Sequence, residues 1–149
     1  PQEVAEIGFP AFGPKIAANG LSVWLHAPED RAAGSNRLIL WHAWRHATNE
    51  PFHKPIPAEE SINNQPNHNL TDATISADEL ALCFCRTKVG AGGNSDLWLS
   101  TRPSGDASWS APVSVGTAVN SEHGEWEPEL SPNGLELYFH SDRPNKNGG

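Results

Sequence analysis

Imidazoles, thiols and carboxylates are the groups in this sequence best suited to chemistry, and their spacing limits what each set can do. His42 and His46 flank Trp44 and Arg45, with His53 and His68 further along and His26 before them. On a strand, His42, Trp44 and His46 project from one face, and two imidazoles can begin a transition-metal site. The spacing offers no third ligand. Packed or surface histidines in a tryptophan-rich stretch are therefore the simpler reading.

Cys83 and Cys85 are the only cysteines. Two residues apart on a strand, they point to the same side at about 6.5 to 7 Å, the edge of disulfide reach, with nearly parallel Cβ vectors. Two free, buried thiols are expected. Glu122, Glu125, Glu127 and Glu129 surround Trp126. Such carboxylates could serve acid–base chemistry or hold Ca²⁺. An extended segment, however, lines up Glu125, Glu127 and Glu129 without wrapping oxygens around a turn, which favours a solvated face. The sequence contains no G-x-S-x-G elbow, H-E-x-x-H helix, phosphate-binding glycine loop or paired C-x-x-C sets. No catalytic residue, cofactor or metal ligand is assigned.

The elements that must position these groups follow from internal self-similarity. Leu40-Trp41-His42-Ala43-Trp44-Arg45 matches Leu97-Trp98-Leu99-Ser100-Thr101-Arg102, 57 residues later, and the same offset carries Phe52-x-x-Pro55 onto Trp109-x-x-Pro112 and Ile62-Asn63 onto Val119-Asn120. A second block, beginning at Ile16, recurs from Ile75 and from Leu130, at spacings of 59 and 55. Each copy of this block reads as a hairpin. In Ser131-Pro132-Asn133-Gly134, Pro presets φ while Asn and Gly accept the positive φ that reverses the chain, so that a strand returns from Leu135. On the returning strands, Leu21, Val23 and Leu25 share a face, as do Leu135, Leu137 and Phe139. Trp24, Cys83 and Tyr138 lie opposite. Apolar groups on both faces predict a strand packed between two sheets. A Gly-rich loop over residues 88–94, a third strand through Asp96–Ser100 and a fourth around Trp109 to Val115 complete a four-stranded unit. No long stretch has helical periodicity.

The hairpin alignment also places His26, Cys85 and His140 at equivalent positions. In a ring of repeats such a column lines the channel or one of its mouths, where it could bind a ligand, metal or proton. Repetition for packing explains it more simply. Asp142 and Arg143, with Asp30 and Arg31 in a comparable loop, sit just past a strand end, where binding loops gather. A solvated ion pair is the alternative.

Composition agrees with many short strands: 13 Gly, 13 Pro, 6 Trp and no Met among 149 residues. The formal charge of −8 argues against nucleic acid as a partner, since such binding needs a basic stripe. There is no apolar run of about 18 residues to span a membrane, and the first ten residues do not form a signal peptide.

The stretch Glu127-Pro128-Glu129-Leu130-Ser131-Pro132-Asn133-Gly134-Leu135-Glu136-Leu137-Tyr138-Phe139-His140-Ser141-Asp142-Arg143-Pro144 resembles the PD40 or WD40-like β-propeller repeats of bacterial exported proteins, related in fold to the TolB propeller. Ser95–Arg102 and Trp109-Ser110-Ala111-Pro112 resemble the continuation of the preceding blade. Two departures stand out: Glu79 where the turn Gly belongs, and His42, Trp44 and His46 at usually small or aliphatic positions. Ser104–Trp109 also partly resembles the Asp-box turn of sialidase-like propellers, a structural motif that carries no catalysis.

The expectation is an all-β chain forming a partial β-propeller of four-stranded antiparallel blades, about two and a half repeats of roughly 55–59 residues. Residues 1–13 form an N-terminal segment outside the pattern. Repeat 1 covers about 14–72, repeat 2 about 73–127 and a partial repeat 3 about 128–149. The repeat and the missing catalytic motifs point to a non-catalytic scaffold for a protein, peptide or glycan, part of a longer chain, with further blades supplied by that chain or another copy, and the resemblance implies a periplasmic or extracellular address. Candidate binding residues are His26, Asp30, Arg31, His140, Asp142 and Arg143. The alternative is a propeller hydrolase or lyase acting on carbohydrate through a histidine-held metal.

Overall fold

The computed structural model describes residues 10–30, 35–90 and 93–144. Arg31, the centre of the Gly-rich loop and the chain ends lie outside them. Among the described residues, ten strands form three antiparallel sheets. Sheet A comprises β1 (Phe12–Ile16), β2 (Ser22–Pro28), β3 (Leu38–Trp44) and β4 (Ile56–Pro57). Sheet B comprises β5 (His68–Ile75), β6 (Ala81–Lys88), β7 (Ser95–Thr101) and β8 (Val113–Ser114). Sheet C pairs β9 (Glu125–Leu130) with β10 (Leu137–Ser141). A single helical turn, α1 (Glu60–Asn63), lies between sheets A and B in the chain. Among the described residues no helix is long and apolar enough to cross a membrane. The chain is all-β, with four-stranded antiparallel sheets whose strands follow one another in sequence.

Strand β6 shows why the sheets stack. Leu82 and Phe84 enter one core with Trp24 and Leu40 of sheet A, while Cys83 and Cys85 enter another with Trp126, Leu137 and Phe139 around sheet C. Alternation sends successive side chains to opposite faces, so sheet B is apolar on both and is covered on both. Burying a side chain of the size of Leu82 or Phe84 contributes roughly 1.5–3 kcal/mol.

Asn63 and Asn120, 57 residues apart, extend the sheets with side-chain amides. Asn63 Oδ1 accepts from Leu40 N–H at 3.1 Å, and its Nδ2 donates to Leu40 and Ala58 carbonyls at 2.9 and 3.0 Å. Asn120 makes the corresponding pair with Leu97, at 2.9 Å each way. Arg45 and Arg102 are a second such pair. Their Nε groups donate to the turn carbonyls of Gly20 and Glu79 at 2.7 and 2.8 Å, and each guanidinium lies 4.5 Å from the centre of an aromatic ring, Phe52 or Trp109.

Three details differ from the sequence reading. The fourth strand narrows to Val113–Ser114, because Trp109 turns its ring into the core under Arg102 instead of continuing a ladder. Leu135 is 83% exposed and belongs to a turn closed by the Ser131 N–H bond to the Glu136 carbonyl, so β10 starts at Leu137. Strand β3 ends at Trp44, so His46 is not on its face with His42.

Candidate functional site

Two places gather polar groups between sheets. The first lies where the opening strands of the sheets approach one another. Gly13, Asp72 and Glu127, in β1, β5 and β9, have φ of 57°, 50° and 51°. Each interrupts the register of its hairpin, the signature of a bulge with a left-handed residue. Their spacings, 59 and 55 residues, are those of the hairpin blocks. An opening of about 550 Å³ lies against all three, with Lys15, Pro128 and Glu129. The Lys15–Glu129 ion pair joins sheet A to sheet C across it, and Leu130 N–H donates to Thr74 Oγ1 at 3.3 Å, joining C to B.

The column His26, Cys85 and His140 runs beside these bulges. Buried His26 accepts the Asp72 N–H at Nδ1, 3.3 Å away, and stacks on Phe12. Burial pushes its pKa down, against the upward pull of the Asp72 carboxylate, so the neutral ring is favoured and serves as acceptor. Cys85 Sγ lies 3.8 Å from the Glu125 carbonyl of the next sheet. Burial raises both thiols, Cys83 and Cys85, to about 12, leaving no thiolate nucleophile near neutral pH. His140 lies on the exposed side of β10, its ring 5.8 Å from Trp126.

The remaining residues singled out in the sequence are placed apart. Asp30 follows β2, its carbonyl accepting from Ser35 N–H at 2.9 Å; Arg31 lies outside the described residues. Asp142 and Arg143 do not pair with each other. Asp142 Oδ1 caps Gly124 N–H at 2.8 Å, whereas Arg143 reaches Glu125 at 2.9 Å and the Val119 carbonyl. Glu125 is wholly buried, so it is not part of a solvated acidic face. Burial raises its pKa, but hydrogen bonds from the Ser121 hydroxyl and N–H, from Arg143 and from Ser141 outweigh this and hold it below the ordinary range. Among the described residues no three His, Cys, Asp or Glu side chains are arranged to hold a metal ion.

The second place is a cleft of about 220 Å³ between sheets A and B. Its wall is a ladder of rings. Trp109 meets Trp24 edge-on at 5.9 Å, Trp24 stacks on His42 at 5.1 Å, and His42 stacks on Trp44 at 5.6 Å. Beyond the cleft the contacts continue from Trp44 to His53 and from His53 to His46. Glu59, Glu79 and Arg102 bring charge to the same cleft. Glu79 sits at φ 58° in the hairpin turn of sheet B and reaches across to sheet A, accepting from Asn19 Nδ2 and Ser22 Oγ at 2.9 Å each. Arg102 lies 3.7 Å from its other oxygen. Glu59 Oε2 accepts the Trp109 N–H at 3.2 Å. Trp24 is 4% exposed, and its Nε1–H has no hydrogen-bond partner.

His42 has a lowered pKa because of burial and Arg102, against the opposing carboxylates Glu59 and Glu79. With one ring stacked on each side, it is placed to pack, not to shuttle protons. His42, Trp44 and the unusual Glu79 stand out in the sequence, but nothing in their spacing brings them together. Glu59, 20 residues before Glu79 in the chain, carries no spacing signal linking the two.

No protein-family model matches the chain, and no curated protein matches it.

Proposed function

We propose that the chain is part of a β-propeller binding scaffold, in which four-stranded sheets stack about an axis lined by their opening strands. Its work is to hold a protein, peptide or glycan on loops and inter-sheet clefts, not to catalyse. The observation that carries this reading is the matched bulge at Gly13, Asp72 and Glu127. A positive φ at a non-glycine residue costs roughly 1–2 kcal/mol, and its recurrence in register is what a rotationally repeated packing needs. The contacts of His26 with the β5 bulge and of Cys85 with β9 support the same geometry.

Tyr138 supports it from the other side. Trp24 and Cys83, its counterparts, are buried against the following sheet, whereas Tyr138 is 60% exposed. Further sheets of the same kind, from the same longer chain or another copy, would cover it. The PD40-like resemblance adds a periplasmic or extracellular address and descent from a bacterial envelope protein.

Light scattering after size exclusion, with circular dichroism on the same peak, tests the scaffold. A β-rich oligomer that dissociates on Tyr138→Lys substitution is expected. A compact monomer that melts cooperatively would point to a self-sufficient sandwich instead. Turnover of a polysaccharide or peptide, lost on Glu79→Gln, would overturn the non-catalytic reading.

A further inference from the structure

We propose that the pocket at the end of sheet B where β6 passes into β7 binds a carboxylate with a hydrogen-bond donor on the adjoining carbon, as in an amino acid, a hydroxy acid or a peptide chain end. Arg86 and Lys88 take the carboxylate, and Asp96 takes the donor. The inference rests on the binding reading above and names a ligand class for it.

The ladder sets these groups side by side. His68 pairs with Lys88 and Arg86 with Asp96, and the two-residue period puts Arg86 and Lys88 on one face. In sheet A the counterparts of Arg86 and Asp96, 59 and 57 residues earlier, are Ala27 and Ile39, also ladder partners and both buried. The repeated sheet is therefore built without charge at this pair, and packing does not account for the exchange.

The charges do not satisfy one another. Lys15, Arg37, Arg102 and Arg143 each pair with a glutamate, whereas Arg86, Lys88 and Asp96 form no ion pair among the described residues. The Arg86 guanidinium lies 4.1 Å from the centre of the Trp98 ring, and its Nη2 is 3.3 and 3.2 Å from Nδ1 and Nε2 of His68. Its Nε is sealed from solvent, but Nη1 is open and makes no hydrogen bond among the described residues. Lys88 is exposed. Burial raises the Asp96 carboxyl, with Glu125 adding to it and Arg86 opposing, and burial lowers the Arg86 guanidinium, with Asp96 opposing. Two partly desolvated charges that face each other without contact both gain from a polar ligand between them.

Size and charge then select the ligand. The pocket holds about 300 Å³ between His68, Arg86, Lys88, Asn94, Asp96 and Trp98, at the small end of the roughly 300–1,000 Å³ usual for ligand sites. Two cations against one carboxylate leave a surplus of one positive charge, because burial, Arg86 and Lys88 all hold His68 toward its neutral form. A monoanion matches that surplus, and a planar carboxylate suits a guanidinium. A phosphate brings further negative charge toward Asp96. The Trp98 face is covered by Arg86, which leaves no platform for a sugar ring. Asp96, when ionised, only accepts, so it calls for a donor beside the carboxylate.

Titration of the purified chain, followed by the ring-proton NMR signals of His68, tests this with alanine, lactate and N-acetylalanine as ligands and propionate, alaninamide and inorganic phosphate for comparison. Saturable shifts are expected with at least one of the first three, which also identifies the source: free amino acid, hydroxy acid or chain end. Propionate lacks the donor and alaninamide lacks the carboxylate, so both should bind about tenfold more weakly or not at all, as should the best ligand to Arg86→Gln. Lys88→Gln, at an exposed position outside the core, should weaken binding about threefold while leaving the circular dichroism spectrum unchanged. No saturation by any of the three, equal affinity for propionate or alaninamide, tighter binding of phosphate, or full affinity in Lys88→Gln would overturn the proposal. Light scattering of the same samples separates it from the scaffold reading. A monomer that binds keeps the site and removes the multi-sheet scaffold, whereas an oligomer that binds none of the three removes the site alone.

Discussion

Arg143 Nη2 lies 2.9 Å from Oε1 of Glu125, a carboxylate with no exposed surface, and this bond ties the exit of β10 to the first residue of β9. Replacing Arg143 by Ala leaves that carboxylate buried with only its serine donors. A loss of about 2–4 kcal/mol is expected, read as a lower urea midpoint at unchanged slope. Arg143→Lys should recover only part of it, since a single ammonium cannot serve both Glu125 and the Val119 carbonyl.

The same carboxylate makes stability depend on pH. Its folded pKa lies below the ordinary 4.5, so the unfolded chain binds the proton first as pH falls. The contribution is complete above the unfolded value and is lost as pH drops through the folded one. Urea titrations at neutral pH and at progressively acidic pH should show a smaller acid loss in Glu125→Gln than in the parent chain.

Two histidines act at higher pH with the same sign. His26 and His42 are held below the ordinary 6.5, chiefly by burial. The unfolded chain therefore protonates before the folded one, and stability falls as pH drops below 6.5. Ring-proton titrations by NMR should place both residues below that value. Replacing both by Gln should flatten the stability profile between the unfolded value and the folded ones.

Glu127 has a backbone conformation that suits glycine. Its side chain is exposed and its φ is 51°, where the corresponding residue of β1 is Gly13. Glu127→Gly should therefore stabilise the chain by up to about 1 kcal/mol, strain relief outweighing the added freedom of the unfolded state. A raised thermal midpoint with an unchanged spectrum checks this.

Asn63 offers the sharpest contrast with a counterpart. Asn63→Asp removes the donor to two buried carbonyls and places a charge among them, with an expected loss of about 3–5 kcal/mol. Asn120→Asp, in a more exposed setting, should cost clearly less in parallel denaturant titrations.

Much of the architecture could be read from residue order. Alternation in Leu82-Cys83-Phe84-Cys85 predicts a strand buried on both faces, and β6 is one, because burial follows the two-residue period directly. The bulges could not be read in this way. Asp72 and Glu127 adopt positive φ without the glycine that would advertise it, so packing overrides local preference there. The cleft was harder still. Trp24, His42, Glu59, Glu79 and Trp109 come from separate segments, and only the stacking of sheet B on sheet A makes them neighbours. Arg102 and Arg45 were visible as matching positions, yet nothing in their spacing shows that each clamps a turn carbonyl while covering a ring.

The meander order of the strands also has a consequence in time. All four strands of sheet A lie within Phe12–Pro57, so during synthesis from the N-terminus its ladder is complete before β5 emerges. Its apolar wall of Trp24 and Leu40 then waits for Leu82 and Phe84. Pairing partners so near in sequence carry little loop-closure entropy. The chain is therefore suited to folding vectorially, each finished sheet acting as the template on which the next one condenses.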